Sequence, residues 1–207
     1  MKKILILVVI SLAMYLSTFT EMKSDCPEYF TQSMVSIWVD GCEYEVDVCF
    51  KCQATLNRGE VNIISFLKVD TSCNTSLSTS QVLDAISNQV QDYDFIRANF
   101  CDIIALPCFP VNQGVIYTFK RAMCWMKIGY PDDIIKYTAC YSDNTKCVEE
   151  IKVCYDPNFP PTFFRKTQIS GPTIVGDFGC QGVTEPPGYP GLGIYSICFE
   201  VGSPCNP

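Results

Sequence analysis

Histidine is absent from the 207 residues of this sequence. Its absence excludes Ser-His-Asp and Cys-His hydrolases, and it removes the imidazole ligand that nearly all zinc and haem sites use. We therefore expect no metal and no cofactor, and acid–base chemistry is left to carboxylates. Neither pair of adjacent acids is a strong candidate for that chemistry. Glu149 and Glu150 fall on opposite faces of a predicted strand, and Asp132-Asp133 is typical of a solvated turn.

Long basic runs are also missing, since no run of Lys and Arg exceeds two residues, as in Lys120-Arg121. The formal net charge is −7. It becomes −9 once an N-terminal signal carrying Lys2 and Lys3 is removed, because 13 Lys and Arg then face 22 Asp and Glu. Nucleic acids and anionic lipids are bound through clustered basic residues. The sequence therefore predicts neither of them as a partner.

The one long apolar run lies at the N-terminus. Lys2 and Lys3 precede an apolar run of 13 residues at 4–16, and a polar segment follows at 17–25. This order is typical of a secretory signal peptide, whereas a membrane span needs about 20 apolar residues. We predict a signal peptide at 1–20, with an uncleaved signal anchor as the alternative because the cleavage site is poorly marked. The mature chain is then secreted, or periplasmic or at the cell surface in a bacterium, with no membrane span.

Cysteine is abundant, with 14 residues that all lie beyond position 25. In an exported protein this density indicates a disulfide framework, and each cross-link stabilises the fold by about 2–4 kcal/mol. Because the mature chain is also long and rich in apolar residues, we expect the disulfides to reinforce a packed core. The predicted framework comprises Cys26, Cys42, Cys49, Cys52, Cys73, Cys101, Cys108, Cys124, Cys140, Cys147, Cys154, Cys180, Cys198 and Cys205.

Two pairs of related segments indicate a tandem duplication. The pattern C-x5-P-C-x-P occurs at 101–110 and at 198–207, and a C-x6-C segment with similar flanks occurs at 42–49 and at 147–154. The order of the two motifs is the same in both halves. A rival register, which the cysteine spacing alone favours, pairs the cysteines at 26, 42 and 49 with those at 124, 140 and 147. We predict a first β-rich repeat at 21–113 and a second at 114–207.

The duplication leaves seven cysteines in each half. An odd number of cysteines cannot pair fully within its own half. Complete oxidation therefore requires at least one disulfide between the halves, which would clamp the two repeats together. The alternative is one free thiol in each half, and this arrangement would lead to covalent pairing with another chain.

Most of the chain is rich in β-branched and aromatic residues bounded by turn residues, which predicts a mainly β fold. In the second repeat, the proline- and glycine-rich segment 181–193 excludes helix and strand alike, and it predicts an irregular loop. The fold class is therefore two tandem diverged disulfide-rich β repeats. The predicted strands are 34–39, 42–49, 61–69, 114–126, 147–154, 162–169 and 194–200.

One α-helix is predicted in the first repeat, at about 79–99. Apolar residues recur there at the spacing of one helix face. Ser78 and Gln81 have the positions of a capping box at the start of the helix. The apolar stripe consists of Val82, Leu83, Ile86, Val90, Tyr93 and Ile96.

Cys49-Phe50-Lys51-Cys52 has the C-x-x-C spacing that supports disulfide exchange in redox proteins. Redox motifs place the first cysteine at the start of a helix that follows a strand, whereas Cys49 ends a predicted strand. We therefore interpret both cysteines as partners in structural disulfides, with thiol exchange and a structural zinc as the alternatives.

Three further residues are candidates for modification or binding. Asn74 begins an Asn-Thr-Ser sequence and is a glycosylation acceptor if the host performs that modification. Tyr189 lies in the proline- and glycine-rich loop, where a rigid exposed aromatic residue can anchor a partner, although a plain connecting loop is the alternative. Trp38, on a predicted strand, is the second binding candidate.

Together these patterns predict a secreted, disulfide-stabilised interaction or structural protein that is not an enzyme and that binds an extracellular protein or glycan. One alternative is a secreted inhibitor or toxin-like ligand, for which rigid disulfide-held loops are also suited. The other is an enzyme that exchanges thiols or depends on carboxylates.

Overall fold

The computed structural model describes residues 26–109, 113–140, 145–160, 163–177 and 179–201. The predicted signal peptide at 1–20 lies outside these residues. The described chain is mainly β, as predicted, and in it no helix is long and apolar enough to span a membrane. Its strands are β1 (Thr31–Val39), β2 (Cys42–Gln53), β3 (Arg58–Lys68), β4 (Val115–Ala122), β5 (Cys124–Gly129), β6 (Ile135–Ala139), β7 (Lys146–Tyr155), β8 (Phe164–Val175) and β9 (Phe199–Glu200), and its helices are α1 (Thr79–Val90) and α2 (Tyr93–Asn99).

All nine of these strands belong to one sheet with β3 at its centre. β2 pairs antiparallel with one edge of β3. The other edge of β3 is shared by β4, which runs parallel to residues 58–63, and by β6, which runs antiparallel to residues 65–67. β7 and β8 extend the sheet beyond β4, while β5 and β9 extend it beyond β6. β1 pairs with β2, so that β1 and β8 are the two long outer strands of the described sheet.

Alternation along the strands gives the sheet an apolar face and a polar face. In β2, Val46 and Val48 are fully buried, whereas Glu45 and Asp47 are only partly buried, as the sequence predicts. The two helices cover the apolar face, and their buried side chains belong to the same core as those of the strands. The protein therefore consists of two layers, a sheet and a pair of helices.

The single helix predicted at about 79–99 is in fact two helices. Asp92 interrupts it with extended backbone angles (φ −70°, ψ 132°), and its side chain accepts a hydrogen bond from the Phe95 N–H group, 3.0 Å away. An aspartate in this role caps the second helix and ends the first. The predicted start is confirmed, since Ser78 and Gln81 form a reciprocal capping box. All six residues of the predicted apolar stripe are buried.

The strand prediction is wrong in three places. The strand predicted at 114–126 is divided at Met123, where the chain changes partners from β3 and β7 to β6 and β9. The strand predicted at 194–200 exists only at its end as β9, because the preceding residues meet β5 through isolated bridges. β6 was not predicted at all. The irregular loop at 181–193 is confirmed, since that segment contains neither helix nor strand.

Six disulfides join described cysteines, Cys147 is also disulfide-bonded, and no described cysteine is free. Cys205 lies outside the described residues. Cys108–Cys154 joins the two halves, which confirms the cross-link expected from seven cysteines on each side. The remaining bonds are Cys26–Cys49, Cys42–Cys73, Cys52–Cys101, Cys124–Cys180 and Cys140–Cys198.

The two C-x6-C segments occupy similar places in the sheet. They lie on β2 and β7, which are the middle strands of two antiparallel arrangements, β1-β2-β3 and β4-β7-β8. In each arrangement the second cysteine bonds to a cysteine that precedes the first strand, Cys49 to Cys26 and Cys154 to Cys108. By this pattern Cys108 corresponds to Cys26, although the predicted boundary assigns it to the first repeat. The duplication and its boundary stay predictions.

Candidate functional site

A cleft of about 590 Å³ lies between α1 and the strands β4, β7 and β8. This volume is within the range of about 300–1,000 Å³ that is usual for ligand pockets. Its apolar lining includes Val61, Ile63 and Phe119, which also belong to the core. We call this site the α1 cleft, and its polar residues are Asp84, Ser87, Asn88, Gln91, Lys120, Arg121, Glu149, Lys166 and Gln168.

The helical wall of the α1 cleft is a polar stripe. Asp84, Ser87 and Asn88 have the spacing i, i+3 and i+4, which places them on one face of α1, and Gln91, at i+7, is the residue that caps the C-terminal end of the helix. The apolar stripe of the same helix is buried in the core. Helix α1 therefore packs against the sheet through its apolar stripe and lines the cleft with its polar stripe.

The opposite wall is made by side chains that alternate along three neighbouring strands. Arg121 lies two residues after Phe119 on β4, and Glu149 lies two residues before the buried Ile151 on β7. Glu150 points to the other face of the sheet, where its carboxylate accepts hydrogen bonds from Thr118 and Ser170. The two adjacent glutamates therefore do not converge, as the sequence predicts.

Arg121 is the most deeply buried cation of the α1 cleft, with only 7% of its surface exposed. Its Nη1 atom donates to Asp84 Oδ1 at 2.8 Å and to Ser87 Oγ at 3.2 Å. Burial lowers the pKa of Arg121, and the carboxylate of Asp84 opposes this effect. Arginine is basic enough that its guanidinium is charged in proteins. No described residue accepts a hydrogen bond from Nη2 or Nε. These donors are available to a ligand.

Gln91 links the other charged groups of the α1 cleft. Its Nε2 atom donates to Glu149 Oε2 at 3.0 Å, and its Oε1 atom accepts a hydrogen bond from Lys166 Nζ at 2.9 Å. Much of the Lys166 side chain is exposed, but the cleft wall partly desolvates the ammonium group and lowers its pKa, against the attraction of Glu149. These bonds connect α1 with β7 and β8, and they hold the polar side chains in place before any ligand binds.

The two predicted binding residues lie away from the α1 cleft. Trp38 is 64% exposed on the polar face of β1. Tyr189 is half-buried, and its hydroxyl group donates to the carbonyl oxygen of Tyr130 at 2.5 Å, which holds the loop against the end of β5. The binding roles of both residues stay predictions.

Asn74 is exposed in the loop between β3 and α1, directly after Cys73. The Asn-Thr-Ser sequence is therefore accessible to a glycosylating enzyme, and its modification stays a prediction. Asp132 and Asp133 lie in an exposed turn, which agrees with the interpretation of this pair as solvated.

The two cysteines of the C-x-x-C motif bond to different partners. Cys49 is joined to Cys26, and Cys52 is joined to Cys101. The motif therefore belongs to the structural framework, as interpreted from the sequence. Within the ranges that the structure describes, no group of three or more His, Cys, Asp or Glu side chains is arranged to hold a metal ion.

Comparison with protein-family models, with curated proteins and with solved structures finds no match for this chain. The class of the protein is therefore assigned from its fold and its disulfides. It is a mainly β, disulfide-rich protein with a helical layer on one face of the sheet. Its six described disulfides fit a small extracellular protein, because such bonds persist in oxidising compartments.

Proposed function

We propose that this protein is a secreted, non-enzymatic binding protein that holds a glycan in the α1 cleft. The observation that carries the proposal is the buried Arg121, which lines the cleft with two donor positions that no described residue uses. A cleft lined by preorganised polar side chains on rigid strands and a helix is suited to binding.

The side chains of the α1 cleft match the chemistry of sugar hydroxyl groups. Each hydroxyl both donates and accepts a hydrogen bond, and planar side chains with two polar atoms can contact two neighbouring hydroxyls at once. Arg121 supplies donors, Asp84 and Glu149 supply acceptors, and the amides Asn88 and Gln168 supply both. The apolar lining offers contact to the C–H groups of a sugar ring.

The charge balance of the α1 cleft favours a neutral ligand. The cations Arg121 and Lys166 face the anions Asp84 and Glu149, and Lys120, the third cation of the lining, is paired with Glu60, so that the charges are balanced. The whole chain carries a net charge of −7, and it repels anions at long range. A neutral saccharide needs no unpaired charge in the cleft, and the negative net charge does not repel it. We therefore place it ahead of an ionic ligand.

The same contacts support binding over catalysis. Asp84 is held by Arg121 and Glu149 is held by Gln91, so each carboxylate of the cleft already has a hydrogen-bonded partner. The Ser87 hydroxyl accepts a hydrogen bond from Arg121, and the sequence has no histidine to activate it as a nucleophile. These groups are arranged to hold a ligand.

Arg121→Gln is expected to weaken saccharide binding by roughly 10- to 100-fold, because a hydrogen bond to a charged group is worth about 1.5–3 kcal/mol. Arg97→Gln is the matched control, since Arg97 pairs with Asp102 in the same way but lies outside the α1 cleft. An array of neutral and acidic oligosaccharides identifies the ligand, and calorimetric titration of the folded proteins gives the affinities. Equal affinities for the two variants, or no saccharide bound by the native protein, would contradict the proposal.

A further inference from the structure

Strand β1 is an outer strand without the features that usually protect a sheet edge. It has nine residues, Thr31–Val39, and it contains no charged residue and no proline. Among the described strands only β2 pairs with it, through one unbroken register from end to end. The outward backbone groups of such an edge are a template for another extended chain.

The other long outer strand, β8, differs from β1 in each of these respects. It carries Arg165 and Lys166, it contains Pro172, and its register with β7 shifts. Charges, proline and irregular pairing are the usual means of preventing a further strand from adding to an edge. The contrast indicates that the outer edge of β1 can accept a further strand, whereas the outer edge of β8 is protected against one.

The solvent-facing side chains of β1 form a surface with those of β2, which we call the β1 face. The β1 face consists of three residues of β1 and the three residues of β2 that lie directly opposite them. The pairs are Met34 with Asp47, Ser36 with Glu45, and Trp38 with Glu43. Met34 and Trp38 are each 64% exposed. A tryptophan this exposed beside a row of carboxylates is suited to contact with a partner, since tryptophan is frequent among residues that dominate binding energy.

The β1 face carries negative charge that the protein does not neutralise. Asp47 has partners, because Lys136 Nζ lies 2.8 Å from its carboxylate and Ser65 Oγ donates to it. Glu43 and Glu45 have no ion-pair partner in the described part of the chain. The two carboxylates therefore remain available to cations beside Trp38.

We infer that β1 binds an extended basic segment of a partner protein, which adds to the sheet as a further strand. The open edge supplies backbone hydrogen bonds to any extended chain, and the β1 face selects its side chains. Lysine or arginine at alternate positions places cations near Glu43 and Glu45 and over the ring of Trp38. The aliphatic stems of these side chains can cover Met34.

A basic partner fits this surface better than a second copy of the chain. A second copy carries the same net charge of −7, and its approach is opposed by repulsion. The inference goes beyond glycan binding and uses no residue of the α1 cleft, so that the two proposals fail or succeed separately.

The test is titration of the full chain with the peptide Lys-Val-Lys-Val-Lys-Val-Lys, capped at both ends, and with its Glu-Val counterpart. Trp38 is the exposed one of two tryptophans, and Trp125 is fully buried, so a change in emission reports on Trp38. We expect a saturable blue shift with the basic peptide alone, and an affinity that falls as salt is raised. Glu43→Gln with Glu45→Gln is expected to weaken binding at least 10-fold.

Asp132→Asn with Asp133→Asn is the matched control, since it removes two exposed carboxylates outside the β1 face, and it is expected to leave the affinity unchanged. Equal binding of the acidic peptide, no binding of the basic one, or an equal loss in the control variant overturns the inference. So does a dimer in analytical ultracentrifugation that Ser36→Lys dissociates, because the occupant of β1 is then a second copy.

Discussion

Trp125→Ala is expected to lower the free energy of unfolding by about 3–5 kcal/mol, the usual loss for removing a large aromatic side chain from a packed core. Trp125 is fully buried, and its ring meets Phe66 edge to face with centroids 5.3 Å apart. Its indole Nε1 donates to the carbonyl oxygen of Ala122 at 2.8 Å. Alanine removes the packing, the ring contact and this hydrogen bond together.

Trp38→Ala is the matched control for that prediction. The same side chain is removed, but Trp38 is 64% exposed, and we expect a change of about 0.5 kcal/mol or less. Urea denaturation followed by circular dichroism, with the disulfides intact, measures both variants. Similar losses for the two tryptophans would contradict the assignment of one to the core and the other to the surface.

Replacing Cys108 and Cys154 together with serine is expected to lower the free energy of unfolding by about 2–4 kcal/mol. This disulfide spans 46 residues and is the described cross-link between the two halves of the chain. It also holds residues 106–108 against the end of β7, where the backbone of Tyr155 bonds to Leu106 and to Cys108. Without the disulfide, only these backbone bonds and side-chain packing hold this segment.

The matched control replaces Cys26 and Cys49 with serine. That bond spans 23 residues within the first half, and the shorter loop predicts a loss that is smaller by about 0.6 kcal/mol. Equilibrium denaturation of both double variants compares the losses. Peptide mapping that joined Cys108 to any cysteine other than Cys154, or an unchanged stability without the bond, would contradict this account of the cross-link.

The local features of the fold were predictable because they depend on neighbouring residues. The capping box at Ser78 and the apolar stripe of α1 are set within a few residues of sequence. The division at Asp92 was missed, because its apolar neighbours continue the helical spacing and hide the cap. The strand break at Met123 was missed for a different reason. There the partners of the strand change, and partners are a property of the whole sheet.

The two tryptophans differ in burial, and the alternation of apolar and polar residues along a strand does not predict this difference. Both lie on predicted strands, but β1 is an outer strand with one polar face, whereas Trp125 on β5 faces Phe66 of β3. The sequence alone does not say which strands are central. Whether an aromatic residue on a strand is exposed therefore depends on the order of the strands in the sheet. The cysteine count constrains that order only by requiring a disulfide between the two halves of the chain.

The α1 cleft was not predicted, although two signals for it exist. The polar residues from Asp84 to Gln91 repeat at helical spacing, and Arg121 continues a row of buried positions that includes Tyr117 and Phe119. Either signal marks a polar site next to the core. What the sequence does not contain is the placement of α1 near β4, β7 and β8, where side chains from these elements line one cleft.

Glycan binding in the α1 cleft is tested most directly by nuclear magnetic resonance. The protein, labelled with nitrogen-15, is titrated with the saccharide selected on the array. We predict that the Arg121 Nε–H signal and the side-chain amides of Gln91 and Gln168 shift in proportion to occupancy, while the indole signal of Trp38 stays in place. Shifts confined to the β1 face, or no shift at Arg121 at saturating saccharide, would contradict the account.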